Sequence, residues 1–516
     1  MRRDAMLLAG LLAALALVGL LRPLLPIDET RYASVAWEMW TRGDFLVPFR
    51  NGEAYHHKPP LLFWLIHAGW WLFGVNEWWP RLISPLFATG TLVLTAWLAR
   101  ALWPGRPAVA RMAPYLLLAC LLYTYFATAL MFDAMLTFFV ALGLVGIVRA
   151  WQGARIGFAL LALGLGGALY AKGPVALVHL LPAALLAPWW ICERRPAWRG
   201  WYLGVLGAVL GGAALILAWA IPAAMAGGPE YARAIFWGQS AGRMAQSFSH
   251  RAPWWFYFAW LPVMLAPWLL WPRWWKGLRG PMVSETGTRL ALVVVLAAFV
   301  FFTVISGKRW HYLLPEFPLF ALLVARALDG TRGGRWSLLV PALALAAAGA
   351  GAIVAAPRLA ARLGGLDDAS ALVWGGVGAL LAAVGLLVRQ ADGAVSEVRR
   401  TAVATLVAFC ALAAAFDVAM REPYDVATVA ARLSQHQREG RPVAFEGDYH
   451  GQWHLAGRLR EPIVEVPPGQ AMQWLASQPQ GRVVVVYRKA DDLPVGARVE
   501  LSRRYRGAWL AIVGAP

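Results

Sequence analysis

Three cysteines, Cys120, Cys192 and Cys410, are all that 516 residues contain, and each lies inside or at the end of an apolar block. Such usage excludes a disulfide framework and a zinc–thiolate site. Charge is scarce too, at 15% of residues, and it leans one way, with 47 Lys and Arg against 28 Asp and Glu. Low-complexity stretches, internal repeats and a nucleotide-binding glycine pattern are missing. Hydrophobic residues fill 60% of the chain, which excludes an ordinary soluble protein. A net charge of +19 suggests nucleic acid in a soluble chain. Here its source is the Arg-rich loops that orient membrane helices, so no nucleic-acid partner is expected.

Apolar blocks recur through the first 420 positions. Each is roughly 17–25 residues long, enough to cross a bilayer as a helix, and none alternates like a barrel strand. Hydropathy places spans near 5–25, 80–102, 108–130, 132–150, 156–171, 174–192, 203–226, 254–272, 289–306, 312–327, 336–356, 370–388 and 401–420. The first reads as an uncleaved helix, since "RPLLPIDE" follows it with no Ala-x-Ala site. The segment Pro59–Gly74, with His67 and several tryptophans, is short for a span and reads as an interfacial helix.

Charge settles that count. With Pro59–Gly74 outside the count, alternate loops hold Arg2/Arg3, Arg100/Arg106/Arg111, Arg149/Arg155, Arg194/Arg195/Arg199, Arg273/Lys276/Arg279/Arg289, Arg326/Arg332/Arg335 and Arg389/Arg399/Arg400. A cationic cluster in every alternate loop marks the cytoplasmic side. Thirteen spans follow, with the N-terminus inside and the tail outside. Asp28, Glu29, Arg31, His57, Lys58, Asp133, Lys172, Lys308 and Tyr312 then gather at the outer face, and edge charges of this kind point to function. The membrane domain is expected over 1–420, with residues 27–79 as an outer loop of interfacial helices. Residues 421–516 carry "PVAFE", "PIVEV", "RVVVVY" and "AWLAIV" as strands between helical runs, a small outer α/β domain.

Several stretches carry chemistry. In "DETRYASVAWEMWTRGDF", Asp28 suits an N-cap. Arg31, Ser34, Glu38 and Thr41 share one face, with Ala33, Trp37 and Trp40 on the other, as in a helix lying along the interface. Asp28 and Glu29 beside Arg31 suit acid/base work; simple capping is the alternative. In "YHHKPPLLFWL", Lys58 stands above an apolar run, where a lipid phosphate with its tail below would fit, or where the side chain merely snorkels. Tyr55 and His57 lie near it, and His57 is a weak candidate metal ligand. "LMFDAMLTFF" buries Asp133, which needs a partner such as a lysine or the substrate. "LYAKGPVAL" and "ISGKRWHYLLPEFP" set Lys172, Lys308 and Arg309 at outer helix ends, completing an anion pocket. "FSHRAPWWFYFAWLP" brings His250 and Arg251 to the same edge, where aromatic-belt anchoring is the alternative.

In order along the chain, "PIDETRYASVAWEMWTRGDFLVPFRNGEAYHHKPPLLFWL", "RLISPLF", "FDAML", "AKGPVAL", "HRAPWWFY" and "SGKRWHYLLP" resemble the bacterial aminoarabinose transferase family, one of the protein mannosyltransferase-like GT-C-fold glycosyltransferases. The resemblance covers roughly residues 5–330. It implies transfer of a sugar from a polyprenyl phosphate carrier to an acceptor at the periplasmic face of the inner membrane, with inversion. Carried over by motif, Asp28 is the catalytic carboxylate with Asp133 second, and Arg31, Lys58 and Tyr312 hold the carrier phosphate. The residues themselves add Glu29 as a further catalytic candidate, Lys172, Lys308 and Arg309 as phosphate contributors, and Tyr55, His57 and His250 near substrate. His57 stands where some family members have an acidic residue and bind a structural metal, so no cofactor is expected to be required. The acceptor expected is lipid A. The alternatives are mannose or another sugar passed to protein, galacturonic acid passed to lipopolysaccharide core, or, in another class, a transporter or flippase of an anionic lipid. The chain is expected to act as a monomer among membrane lipids.

Overall fold

Helix α1 (Arg2–Leu21) is a nearly unbroken apolar run that ends where Arg22 and Pro23 begin a short connection to α2 (Asp28–Arg42). The structure, a computed structural model, describes residues 2–238, 251–278, 281–334, 336–363, 370–388 and 393–516. Among them ten helices are long and apolar enough to cross a membrane, against the thirteen read from hydropathy. The difference lies at breaks in the chain. The block expected over 108–130 is two helices, Pro107–Leu118 and Leu121–Phe126, parted at Cys120, whose backbone is extended (ψ 121°). That over 254–272 keeps a helix only over Phe256–Met264, and the N–H of Leu121 donates to the carbonyl of Ala266 at 3.0 Å. One interruption thus satisfies the other, which is how broken helices persist in hydrocarbon. The third difference is a merger, for Ile156–Leu185 forms one run across a bend at Gly173.

Helices Phe132–Trp151 and Ile156–Lys172 pack through glycine. A Cβ on Gly146 would lie 2.5 Å from the Leu161 nitrogen, and one on Gly164 would lie 2.5 Å from the Gly143 Cα. Close backbone approach through small residues is the usual way for membrane helices to associate, because the hydrophobic effect gives no bias between helix and lipid.

The cationic loops meet one another. Asp4 pairs with Arg111 at 3.2 Å, Arg106 with Asp329 at 2.9 Å, and Arg326 with Glu285 at 2.5 Å; Arg273 pairs with Glu397. These contacts set both the start of α1 and the far end of the Trp78–Leu102 helix at one end of the bundle. Residues 22–77 therefore lie at the opposite end, and α3 (Leu61–Phe73) does not cross, as its length suggests.

The C-terminal domain carries a five-stranded sheet. Strands β1 (Phe49–Arg50) and β2 (Glu53–Ala54) form a small hairpin after α2, and the sheet takes β3 (Val443–Glu446), β4 (Val464–Val466), β5 (Arg482–Tyr487), β6 (Arg498–Tyr505) and β7 (Ala508–Gly514) in the order β4-β3-β5-β7-β6. β3 runs parallel to β4 and β5; β7 runs antiparallel to β5 and β6. Within "RVVVVY" the valines from Val483 to Val485 are buried because both faces are covered there: Val484 packs with Phe445 and Leu433, and Val483 and Val485 pack with Leu475. The sequence reading missed β6, whose "RVELSRRY" is mostly polar, and set the boundary at 421, whereas the last membrane helix runs over Gly393–Tyr424.

α2 is not the interfacial helix its two faces suggest. Ser34 and Glu38, on the face expected to meet solvent, are buried, because the outer domain sits on them. The Trp37 indole N–H donates to the Leu459 carbonyl at 2.7 Å. Asn51, just beyond β1, donates to the Ile463 carbonyl and accepts from the Ile463 N–H, both at 2.8 Å. An Asn51→Ala substitution leaves both Ile463 groups unpaired, at a cost of about 1–3 kcal/mol. It is expected to loosen the outer domain, seen as limited proteolysis between 458 and 470 faster by on the order of tenfold. Cleavage at the wild-type rate would show that the docking rests elsewhere.

Candidate active site

The site begins with a clasp between α1 and α2. Burial pushes the Glu29 carboxyl up, but Arg22 and two backbone N–H groups outweigh it and hold the group below the ordinary glutamate value. Both carboxylate oxygens receive the Arg22 guanidinium at 2.5 Å, and they also accept from the N–H of Leu25 at 2.8 Å and of Leu130 at 2.9 Å. This corrects the catalytic expectation for Glu29. Its carboxylate is fully engaged in holding α1, α2 and the segment before the Phe132 helix together. Asp28 is not an N-cap either, for Ile27 occupies that position without a side-chain cap and Asp28 opens the helix proper. Its carboxylate is left for Arg31 one turn on, and more than half of the side chain is exposed.

Phe132 is the hub that gathers the next groups. Tyr32 of α2 meets its ring edge-on at 4.9 Å, Phe63 of α3 at 5.7 Å, and the Lys58 ammonium lies 5.7 Å from its centroid. The Pro59–Pro60 turn, with Pro60 already in helical backbone geometry, starts α3 and delivers Lys58 beside α2. Asp133 follows Phe132 and finds the lysine it needs, for Lys172 donates to it from the end of the neighbouring helix, and both are buried. The Lys172 ammonium also lies 5.2 Å from the Tyr312 ring.

These residues line one cavity of ≈ 1580 Å³, larger than the roughly 300–1,000 Å³ of a typical small-ligand pocket. Of the expected site residues, Asp28, Glu29, Arg31, Tyr55, His57, Lys58, Asp133, Lys172, Lys308, Arg309 and Tyr312 all line it; His250 lies outside the described residues. Among the described lining residues, seven lysines and arginines stand against three carboxylates, an electropositive chamber bounded on one side by Phe256, Trp260, Met264 and Phe301.

Two of the expected cations are committed elsewhere. The Lys172 charge is matched by Asp133. The Lys308 ammonium donates to the carbonyls of Ile305 at 2.5 Å and Ala252 at 3.2 Å, tying the loop at 306–309 to the one after 250, and burial lowers its pKa. Both are better read as framework than as phosphate contacts. The His57 ring is tilted against that of His56, with centroids 4.3 Å apart, and meets Tyr55 edge-on at 5.2 Å. Among the described residues no three His, Cys, Asp or Glu side chains gather to hold an ion.

Sequence reasoning passed over further lining residues: Tyr32, Arg50, His179, His311 and His450. His311 sits within the quoted "KRWHYLLP". His179 is embedded in an apolar helix, where its Nδ1 meets Glu316 at 2.6 Å, a pair 137 positions apart that local pattern does not reveal. His450 comes from the outer domain, which carried no motif.

Similarity now adds to the geometry. Residues 21–231 match the family model for dolichyl-phosphate-mannose-protein mannosyltransferase. Undecaprenyl phosphate-alpha-4-amino-4-deoxy-L-arabinose arabinosyl transferase of Edwardsiella ictaluri is 33% identical over 325 residues, covering 59% of this chain and 56% of the relative. The transferase of the same description from Enterobacter sp. is 30% identical over 309 residues, covering 58% and 54%. The chain thus aligns with a little over half the length of the curated relatives it matches. Across nearly the whole chain the fold superposes on ArnT from Cupriavidus metallidurans, solved bound to undecaprenyl phosphate, with a TM-score of 0.77 at 20% identity, covering 99% of this chain and 97% of that one. The apo form of that protein gives a TM-score of 0.78.

An apolar helical bundle, a charged cavity at one end and a small mixed-sheet domain over it define a polytopic membrane protein of the GT-C fold. Within that class, the sequence is similar to aminoarabinose transferases over a little over half of each chain.

Proposed function

We propose that this protein is a glycosyltransferase that moves a sugar from undecaprenyl phosphate to lipid A at the periplasmic face of the bacterial inner membrane. The observation that carries the reading is the cavity itself, where Asp28, Arg31, Lys58 and Tyr312 share one chamber with an apolar flank. Cations and a phenol at the polar part match a phosphate, and the flank matches a polyprenyl tail. Site charges at one end of the bundle favour transfer over transport, since transporters bind near the midplane.

The reaction breaks the bond between the anomeric carbon and the carrier phosphate oxygen, whose electron pair leaves with the phosphate. Arg31 and Lys58 face that growing charge in a water-poor chamber, with Tyr312 as a hydrogen-bond donor, and so lower the barrier electrostatically. The acceptor oxygen attacks from the opposite side, and inversion follows. A lipid A phosphate is already anionic and needs no base; an acceptor hydroxyl would pass its proton to Asp28. With a phosphate acceptor, Asp28 serves to orient the sugar through a group such as an amine. Asp133 and Lys172 fix the wall behind.

Mass spectrometry of lipid A, other glycolipids and envelope proteins, from cells with and without the gene, tests the reading. A pentosamine on lipid A phosphate that depends on the gene is expected. An unchanged lipid A beside a gene-dependent hexose on envelope proteins would instead favour the protein-acceptor chemistry named by the family model.

A further inference from the structure

The cavity has lining residues that the reaction above does not use, among them Arg50 of β1 and His450 of the C-terminal domain. His450 sits on the loop that follows β3, and that loop is held rigidly. Its neighbour Tyr449 is fully buried and stacks on Trp453 at 5.3 Å; the Trp453 N–H donates to the Tyr449 hydroxyl at 3.2 Å. The His450 backbone N–H donates to the Gln452 side chain at 2.8 Å. Gly451 has φ +85°, and a Cβ there would lie 2.5 Å from the Ser34 hydroxyl, so the loop seats on α2 only because glycine stands at this position. His450 is therefore presented to the chamber from a fixed mount. Its Nδ1 is buried without a hydrogen-bond partner, and so is Nε of the nearby Arg31.

We propose that His450, together with Arg50, is a specificity residue that binds the phosphate-bearing headgroup of the acceptor. This rests on the transferase reading. The apolar lining answers the carrier tail and Arg31 and Lys58 its phosphate, which leaves the residues brought by the C-terminal domain for the second substrate. The charge there selects its chemistry. Burial, and then Arg31 and Arg50, hold the imidazole pKa below the ordinary histidine value, with Asp448 the acidic neighbour. A ring with an unpartnered Nδ1 that feels the charges of Arg31 and Arg50 suits an anion accompanied by sugar hydroxyls better than a neutral peptide hydroxyl.

The test uses the full chain in nanodiscs with undecaprenyl phosphate-aminoarabinose as donor and bis-phosphorylated lipid A as acceptor. His450→Phe keeps the volume of the ring and removes its polar atoms; His450→Asn keeps a polar atom near the position of Nδ1. His450→Phe is expected to raise the acceptor KM about tenfold, the scale of one charge-assisted hydrogen bond, with kcat and donor KM unmoved. His450→Asn is expected to restore most of that loss, which a merely structural role would not allow. Equal acceptor KM in all three chains, or a donor KM that moves in step, overturns the inference. Photocrosslinking of an azide-bearing lipid A reads the same contact without turnover, and labelling is expected in wild type and His450→Asn but not in His450→Phe. Labelling absent from wild type, or equal in all three, overturns the inference. A wild-type chain that crosslinks as expected yet transfers nothing defeats the transferase reading instead.

Discussion

Asp28→Asn is expected to abolish sugar transfer and leave the fold intact. The side chain is more than half exposed and pairs only with Arg31, itself partly exposed, one helical turn away. Such a pair contributes about 0–1 kcal/mol, so the thermal midpoint of the detergent-solubilised protein should hardly move. The rate is another matter. A carboxylate that orients the sugar or takes the acceptor proton is worth on the order of 10²–10⁴ in rate. Transfer measured in proteoliposomes, beside a melting curve for each variant, separates the two effects. A variant that melts normally and transfers at the wild-type rate would remove Asp28 from the mechanism.

Glu29→Ala, one residue on, should behave in the opposite way. It strands the Arg22 guanidinium and the N–H groups of Leu25 and Leu130 in the interior. Breaking a buried pair from one side costs about 3–5 kcal/mol, because the charge left behind has lost both water and partner. Low yield and early thermal aggregation are the expected readouts. The pH dependence has a definite sign. The folded-state pKa of Glu29 is depressed, so its contribution is complete above the ordinary carboxylate value of about 4.3 and is lost as pH falls through the lower folded value. Wild type should therefore lose stability on strong acidification more steeply than Glu29→Ala. Parallel acid profiles for the two would mean that the clasp does not hold α1 to α2.

Neighbours in sequence thus divide between chemistry and framework, and "DE" by itself does not say which is which. The same applies to the lysines. Lys58, Lys172 and Lys308 all stand at outer helix ends, but Lys172 is matched by Asp133 and Lys308 by two backbone carbonyls. The buried Asp133 did announce that it needed a partner, because an isolated carboxylate at that depth is too costly, and a lysine proved to be that partner. The N-cap expectation for Asp28 and the wet face expected for α2 failed for a shared reason. Both are properties of an isolated helix, and here the membrane domain and the outer domain enclose it.

The sequence by itself determined most of the apolar spans, the gathering of cationic loops at one end of the bundle, the short helix α3, four strands of the C-terminal domain, and eleven residues that line the cavity. Those features follow from hydropathy, charge and short motifs, which are local and add along the chain. Only the tertiary structure decided which ionisable groups are spent on one another, where the long apolar blocks break, and that the outer domain brings His450 to the site. Those depend on contacts between positions far apart, such as Glu29 with Leu130 or Trp37 with Leu459. Whether a buried charge is framework or chemistry is set by the partner it meets there.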